Sequence, residues 1–186
     1  KHKVKVSDSG VISIMGGKLT TYRKMSEHTV DEVVKHTGKA KKCKTKNLQF
    51  IGAKGFKPSM KNGADAHLAD RFGSELNRVK ELIAQDSTLG EPLINGLPYL
   101  RAEAIFACRN EMAQTLDDVL SRRTRARIIN RRATLASARK VAELMATELH
   151  WDAAEIDRQV AFFVDSCSRE EAAGLVSEAE FLASVQ

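Results

Sequence analysis

The residues of this chain best suited to chemistry form one short run: Gly16, Gly17, Lys18, Leu19, Thr20 and Thr21, preceded by the apolar stretch Val11, Ile12, Ser13, Ile14 and Met15 and followed by Tyr22 and Arg23. Glycines let a ligand approach the backbone closely, and the free N–H groups at a helix start favour an anion or an electron-rich group. Lys18 adds a mobile positive charge at the same place. The run is not a Walker A loop, because Ile12 stands where that loop needs its first glycine and Leu19, not Ser or Thr, follows the lysine. Two readings stand on spacing alone: a ligand-holding turn, and a plain strand-to-helix turn capped by Thr20.

A second cluster is basic. Arg122, Arg123, Arg125, Arg127, Arg131 and Arg132 fall within eleven residues, a density that suits phosphate or nucleic acid. Yet residues 62–186 carry 15 Lys and Arg against 20 Asp and Glu, and few aromatics accompany the arginines. Ion pairs to Asp117, Asp118, Glu111 or a neighbouring domain are therefore expected, and nucleic acid is not. A basic helical module holding nucleic acid or an anionic membrane is the alternative function. Histidines 28, 36, 67 and 150 have no metal-ligand spacing, so surface or core roles are expected for them. GxSxG and GxGxxG are both absent, which leaves hydrolysis unsupported and the dinucleotide fingerprint missing. Cys43, Cys108 and Cys167 are odd in number and widely spaced, and are expected as free thiols.

The scaffold around these residues can be read from pattern. The chain has 186 residues and a net charge of +6, but residues 1–61 hold 15 Lys and Arg against 4 acids, so the halves differ in sign. No apolar run approaches the ~20 residues of a membrane helix, and no signal peptide opens the chain; a soluble or peripheral intracellular protein is expected. Residues 1–6 and 11–14 read as two strands around a turn at Ser7 to Gly10. Residues 20–35 place Tyr22, Met25, Thr29, Val30, Val33 and Val34 on one helical stripe, with Gly38 as its stop. Nine lysines and no acid lie in residues 35–61, among Gly38, Gly52, Gly55 and Pro58, the pattern of a linker. Beyond it the pattern is helical throughout: 68–84 with a break at Gly73, 100–110, 116–123 opened by a Thr115 to Asp118 capping box, 134–149 and 153–167. The expected fold is mainly α: a short β-ribbon and one helix over 1–37, a lysine-rich linker over 38–64, and an all-α domain over 65–186. Because the chain opens on a lone ribbon without an initiator Met, it reads as the C-terminal piece of something larger.

Two stretches carry a family resemblance. Residues 12–25, ISIMGGKLTTYRKM, resemble the segment that closes the FAD domain in FAD-dependent glycerol-3-phosphate dehydrogenases. Residues 107–126, ACRNEMAQTLDDVLSRRTRA, are similar to the signature of that family's C-terminal helical domain. Cys108 stands where the family usually has Val, and Asp117 where it has Glu. The resemblance implies that residues 1–37 are the edge of an α/β FAD-binding domain. It implies that Gly16, Gly17, Lys18, Leu19 and Thr20 form one wall of the FAD site, with Lys18 also meeting the substrate. The implied full-length enzyme oxidises sn-glycerol 3-phosphate to dihydroxyacetone phosphate and passes electrons through FAD to quinone. This piece alone is expected to be inactive and without FAD. A cytoplasmic location, a peripheral seat on the inner membrane and homo-oligomer formation belong to the same set of expectations.

Overall fold

A computed structural model describes residues 2–38, 42–61 and 65–174. Lys1 of the expected first strand, residues 39–41 and 62–64 of the expected linker, and residues 175–186 of the expected helical domain lie outside them. The fold is mainly α, as the patterning predicts, and the chain divides into two compact units, Lys1–Lys54 and Gly55–Gln186.

In the first unit, β1 (Lys3–Val6) and β2 (Ile12–Met15) pair antiparallel, with Lys3 opposite Met15 and Val6 opposite Ile12. The turn between them closes through the Gly10 N–H on the Ser7 carbonyl at 2.9 Å, with Gly10 at φ +83°, a conformation glycine adopts without steric cost. Alternation puts Val4, Ile12 and Ile14 on one half-buried face and leaves Lys3, Lys5 and Ser13 in solvent. Helix α1 (Tyr22–Thr37) ends where expected, with Gly38 at φ +68° and its N–H on the Val34 carbonyl. Its apolar stripe is split: Met25, Thr29 and Val34 are half-buried, whereas Tyr22, Val30 and Val33 are exposed. No described residue of this unit is buried. Val6, Val11, Met15, Leu19, Leu48, Phe50 and Ile51 are exposed as well.

The second unit holds the core. Helix α2 (Ala66–Phe72) breaks at Gly73, φ +59°, before α3 (Leu76–Gln85). Helix α4 (Arg101–Asn110) is buried from Ala102 through Cys108 and packs against α3 and α6 (Arg131–Leu149). Such all-round burial marks it as the central helix. Phe72 meets Phe106 edge-on at 5.1 Å between ring centres. The Thr115 to Asp118 box forms as the spacing predicts: the Thr115 N–H donates to Asp118 Oδ2 at 3.0 Å and the Asp118 N–H to Thr115 Oγ1 at 3.1 Å. The box opens not an ordinary α-helix but a wider π-helical stretch, Asp118–Arg123, ended by the Thr124 hydroxyl on the Val119 carbonyl at 2.7 Å. The short α5 (Ala126–Ile129), unsignalled by any long apolar period, comes next. Asn130 then caps α6 through its side chain, and α7 runs over Ala153–Gly174, longer than its apolar stripe implies. No helix among the described residues is long and apolar enough to cross a membrane.

Candidate functional site

Gly16, Gly17, Lys18, Leu19 and Thr20 lie together in one exposed turn between β2 and α1. Gly16 and Gly17 take φ +73° and +97°, two successive left-handed residues that other side chains would strain. A Cβ on Gly17 would also collide with the Met25 thioether from α1, so the turn sits down on that side chain. Lys18 returns to extended backbone, φ −130° and ψ 153°, and Leu19–Thr21 make a single 3-10 turn ahead of α1. Thr20 does not cap the helix; Thr21 does the local bonding. Its Oγ1 accepts the Lys18 N–H at 3.1 Å and donates to the Lys18 carbonyl at 2.8 Å. The sequence pattern includes Thr21 in the run but points to Thr20 as the cap, although a hydroxyl three residues after a helix-capping position is the signal for such a reach-back bond. Among the described residues the N–H groups of Leu19 and Thr20 have no hydrogen-bond partner, as expected for the opening of a helix. The turn therefore offers free amides, one mobile cation and a backbone face without side chains.

Four of the six clustered arginines, Arg122, Arg123, Arg127 and Arg131, are engaged within their own unit, whereas Arg125 and Arg132 are exposed and make no ion pair among the described residues. Arg122 pairs with Asp117 at 2.6 Å and with Asp118 at 3.1 Å. Arg127, mostly buried, spans Asp117 at 3.4 Å, Ser166 and Glu170 at 2.7 Å, and lies over the Phe163 ring. Burial works against the charge of Arg127, but Glu170, Cys167 and Asp117 together outweigh it and raise its pKa. Arg131 also reaches Glu170, at 3.4 Å. Arg123 meets Glu111 through the backbone carbonyl rather than the carboxylate expected from sequence. Forked guanidinium groups spent on carboxylates in this way hold helices together.

One buried charge was not legible in advance. The Glu103 side chain is fully buried, with Oε1 accepting the Leu100 N–H at 2.9 Å and lying 2.8 Å from His67 Nε2. Arg71 Nε is 2.7 Å from Oε2, an ion pair by distance although the two atoms are not aligned as a hydrogen bond. Arg71 also donates to the Arg123 carbonyl at 2.6 Å, which ties α2 to the end of the π-helical stretch. His67 is thus the structural partner of a core carboxylate.

Similarity to known proteins covers both units. Residues 43–156 match the family described as the C-terminal domain of alpha-glycerophosphate oxidase. The chain is 34% identical over 178 residues to glycerol-3-phosphate dehydrogenase 2 of Mycobacterium tuberculosis, covering 88% of this chain and 30% of that protein. It is 35% identical to the mitochondrial glycerol-3-phosphate dehydrogenase of Mesocricetus auratus, covering 85% of this chain and 23% of the relative. Its structure resembles that of the glycerol-3-phosphate dehydrogenase from Bacillus halodurans complexed with FAD, with a TM-score of 0.71 and 30% identity over 89% of this chain and 36% of that one. The chain thus spans about a third or less of the length of these relatives.

Proposed function

Because this chain belongs to the family of C-terminal domains of alpha-glycerophosphate oxidase, we propose that it is the C-terminal part of an FAD-dependent enzyme that oxidises sn-glycerol 3-phosphate to dihydroxyacetone phosphate. The observation that carries this reading is the likeness to the FAD complex from Bacillus halodurans, which extends over 89% of the chain at a TM-score of 0.71. The absence of any buried residue among those described in Lys1–Lys54 supports it further: two strands and one helix with so many bare apolar side chains need a further sheet or layer to cover them.

The residues of the exposed turn fit a flavin. Gly16 and Gly17 put no side chain over it, Leu19 and Thr20 present free N–H groups, and Lys18 is an exposed cation. These five residues would hold the cofactor from one side. FAD, when bound, supplies the acceptor for the hydride removed from the substrate alcohol. Lys18 and the helix-start amides supply positive charge, which favours the electron-rich, reduced state of a neighbouring group. Lys18 has the length and charge to meet the substrate phosphate as well. The helical unit, with Arg122, Arg127 and Arg131 already paired to carboxylates, serves as scaffold rather than as a nucleic-acid surface.

The reading extends to quinone as electron acceptor, to a cytoplasmic enzyme held peripherally on the inner membrane, and to a homo-oligomer. The test is made on the full-length protein. Purified with its flavin and kept free of oxygen, it should lose its flavin colour on addition of glycerol 3-phosphate and regain it on addition of a soluble quinone. A protein without flavin, or a flavin that glycerol 3-phosphate leaves oxidised, would overturn the reading. Recovery with oxygen alone, accompanied by peroxide, would replace the quinone with an oxidase activity.

A further inference from the structure

We propose that Thr21 is a positioning residue for the flavin-facing turn, acting through the backbone of Lys18; the proposal rests on the flavoenzyme reading above. Both backbone polar groups of Lys18 are taken by this one residue. Thr21 Oγ1 accepts the Lys18 N–H at 3.1 Å and donates to the Lys18 carbonyl at 2.8 Å, and the Thr21 N–H reaches the same carbonyl at 2.9 Å.

Among the described residues, little fixes the turn besides Thr21 and the seat of Gly17 on the Met25 side chain. The ladder of β2 ends at Met15, Gly16 and Gly17 have the widest conformational freedom of any residues, and every residue from Gly16 to Thr21 is exposed. The Thr21 hydroxyl therefore sets the point from which the Lys18 side chain departs. By taking the Lys18 N–H, it also leaves the donors of Leu19 and Thr20 as the free ones. In a capping box the third helical position normally carries Glu or Gln for this reach-back bond. A carboxylate there would set a negative charge beside donors that serve an electron-rich ring, whereas a threonine hydroxyl satisfies the same N–H without charge.

The experiment uses the full-length flavoprotein with Thr21→Val, Thr21→Ser and, as a helix control, Ser26→Ala, whose hydroxyl bonds the Tyr22 carbonyl one turn further on. Three quantities are read: the absorbance spectrum of the bound flavin, the rate of anaerobic flavin reduction by glycerol 3-phosphate, and the melting temperature. Thr21→Val should displace the flavin spectrum and slow reduction about tenfold, the factor that ~1.4 kcal/mol in the barrier produces. Thr21→Ser and Ser26→Ala should match the unsubstituted protein in spectrum and rate. The proposal is overturned by a Thr21→Val protein with unchanged spectrum and rate, or by a Thr21→Ser protein that falls as far as Thr21→Val. Should Thr21→Val not accumulate as folded protein, Thr21→Ala is read against the same outcomes. If the unsubstituted protein holds no flavin, or its flavin is not reduced, the functional reading falls and this proposal with it, a result distinct from an intact flavoenzyme indifferent to Thr21.

Discussion

The carboxylate of Glu103, buried on every side within α4, is met by the guanidinium of Arg71 from α2 at 2.7 Å, and Arg71 passes the link on to the Arg123 carbonyl. The pair joins the first helix of the core to its central helix and to the end of the π-helical stretch. Removing one member of a buried pair leaves the other charge without compensation. Arg71→Met should therefore lower the unfolding free energy by about 3 kcal/mol, the range for broken buried pairs. Glu103→Gln, which retains an acceptor for the Leu100 N–H, should cost about 1 kcal/mol. Urea unfolding of the two variants checks the order; an Arg71→Met protein as stable as the parent would remove the pair from the account of the core.

Asp118 gives the helical unit an acid-sensitive contact. Burial pushes its carboxyl upward, but the Gln114 and Thr115 N–H groups, the Thr115 hydroxyl and Arg122 outweigh that and hold it below the usual carboxylate range. A depressed folded pKa contributes stability that is fully present above the unfolded value of ~3.9 and is lost as pH falls through the folded value. Asp118→Asn should flatten that part of the acid limb of a stability-against-pH curve, while lowering stability at neutral pH by about 1 kcal/mol for the weakened cap. Urea midpoints measured from neutral pH down to the acid transition decide it, and parallel curves for parent and variant would contradict the assignment.

How much of this was legible beforehand depended on whether a residue's partner lay nearby in sequence. The Thr115 to Asp118 box, the break at Gly73 and the stop at Gly38 are local events, and residue type alone located them. The arginine cluster was half legible: Asp117 and Asp118 lie within a turn or two, whereas the Arg127 partner Glu170 lies 43 residues on and only the packing of α7 brings it near. Glu103 gave no sign, because an acid in an amphipathic pattern reads as a solvent-facing residue until the helix is known to be central. The π-helical stretch is equally silent, since one extra residue per turn shifts the apolar period only locally. In the site, glycine and lysine announced the turn, but the expected cap is Thr20; the spacing from Lys18 to Thr21 is readable only once Lys18 is known to be the residue that opens the helix.

The three thiols should separate by burial. Cys108 is pushed up to about 11 by its burial in α4, and burial likewise raises Cys167. Since the thiolate is the reactive form, both should resist a thiol reagent at neutral pH in the folded protein. Cys43, half-buried and 3.1 Å from the Thr45 hydroxyl, should react. Labelling before and after unfolding, followed by mass spectrometry, should give one modified site and then three. Early labelling of Cys108 would mean that α4 is not the closed centre of the core.

Lys18→Ala separates the site from the scaffold. The side chain is exposed and makes no ion pair among the described residues, so its loss should leave the unfolding free energy of the helical unit, from urea titration, within about 0.5 kcal/mol of the parent, as for other surface changes. If it provides positive charge to the reduced flavin and to the substrate phosphate, the same substitution in the full-length enzyme should lower turnover with glycerol 3-phosphate by about 100-fold, the scale of a lost electrostatic contact at a reacting centre. It should also raise the substrate concentration needed for half-maximal rate, since the phosphate loses a cation. The two effects are read in one steady-state titration with flavin content measured alongside. A variant with normal flavin, normal turnover and normal substrate dependence would take Lys18 out of the site while leaving the family assignment of the helical unit untouched.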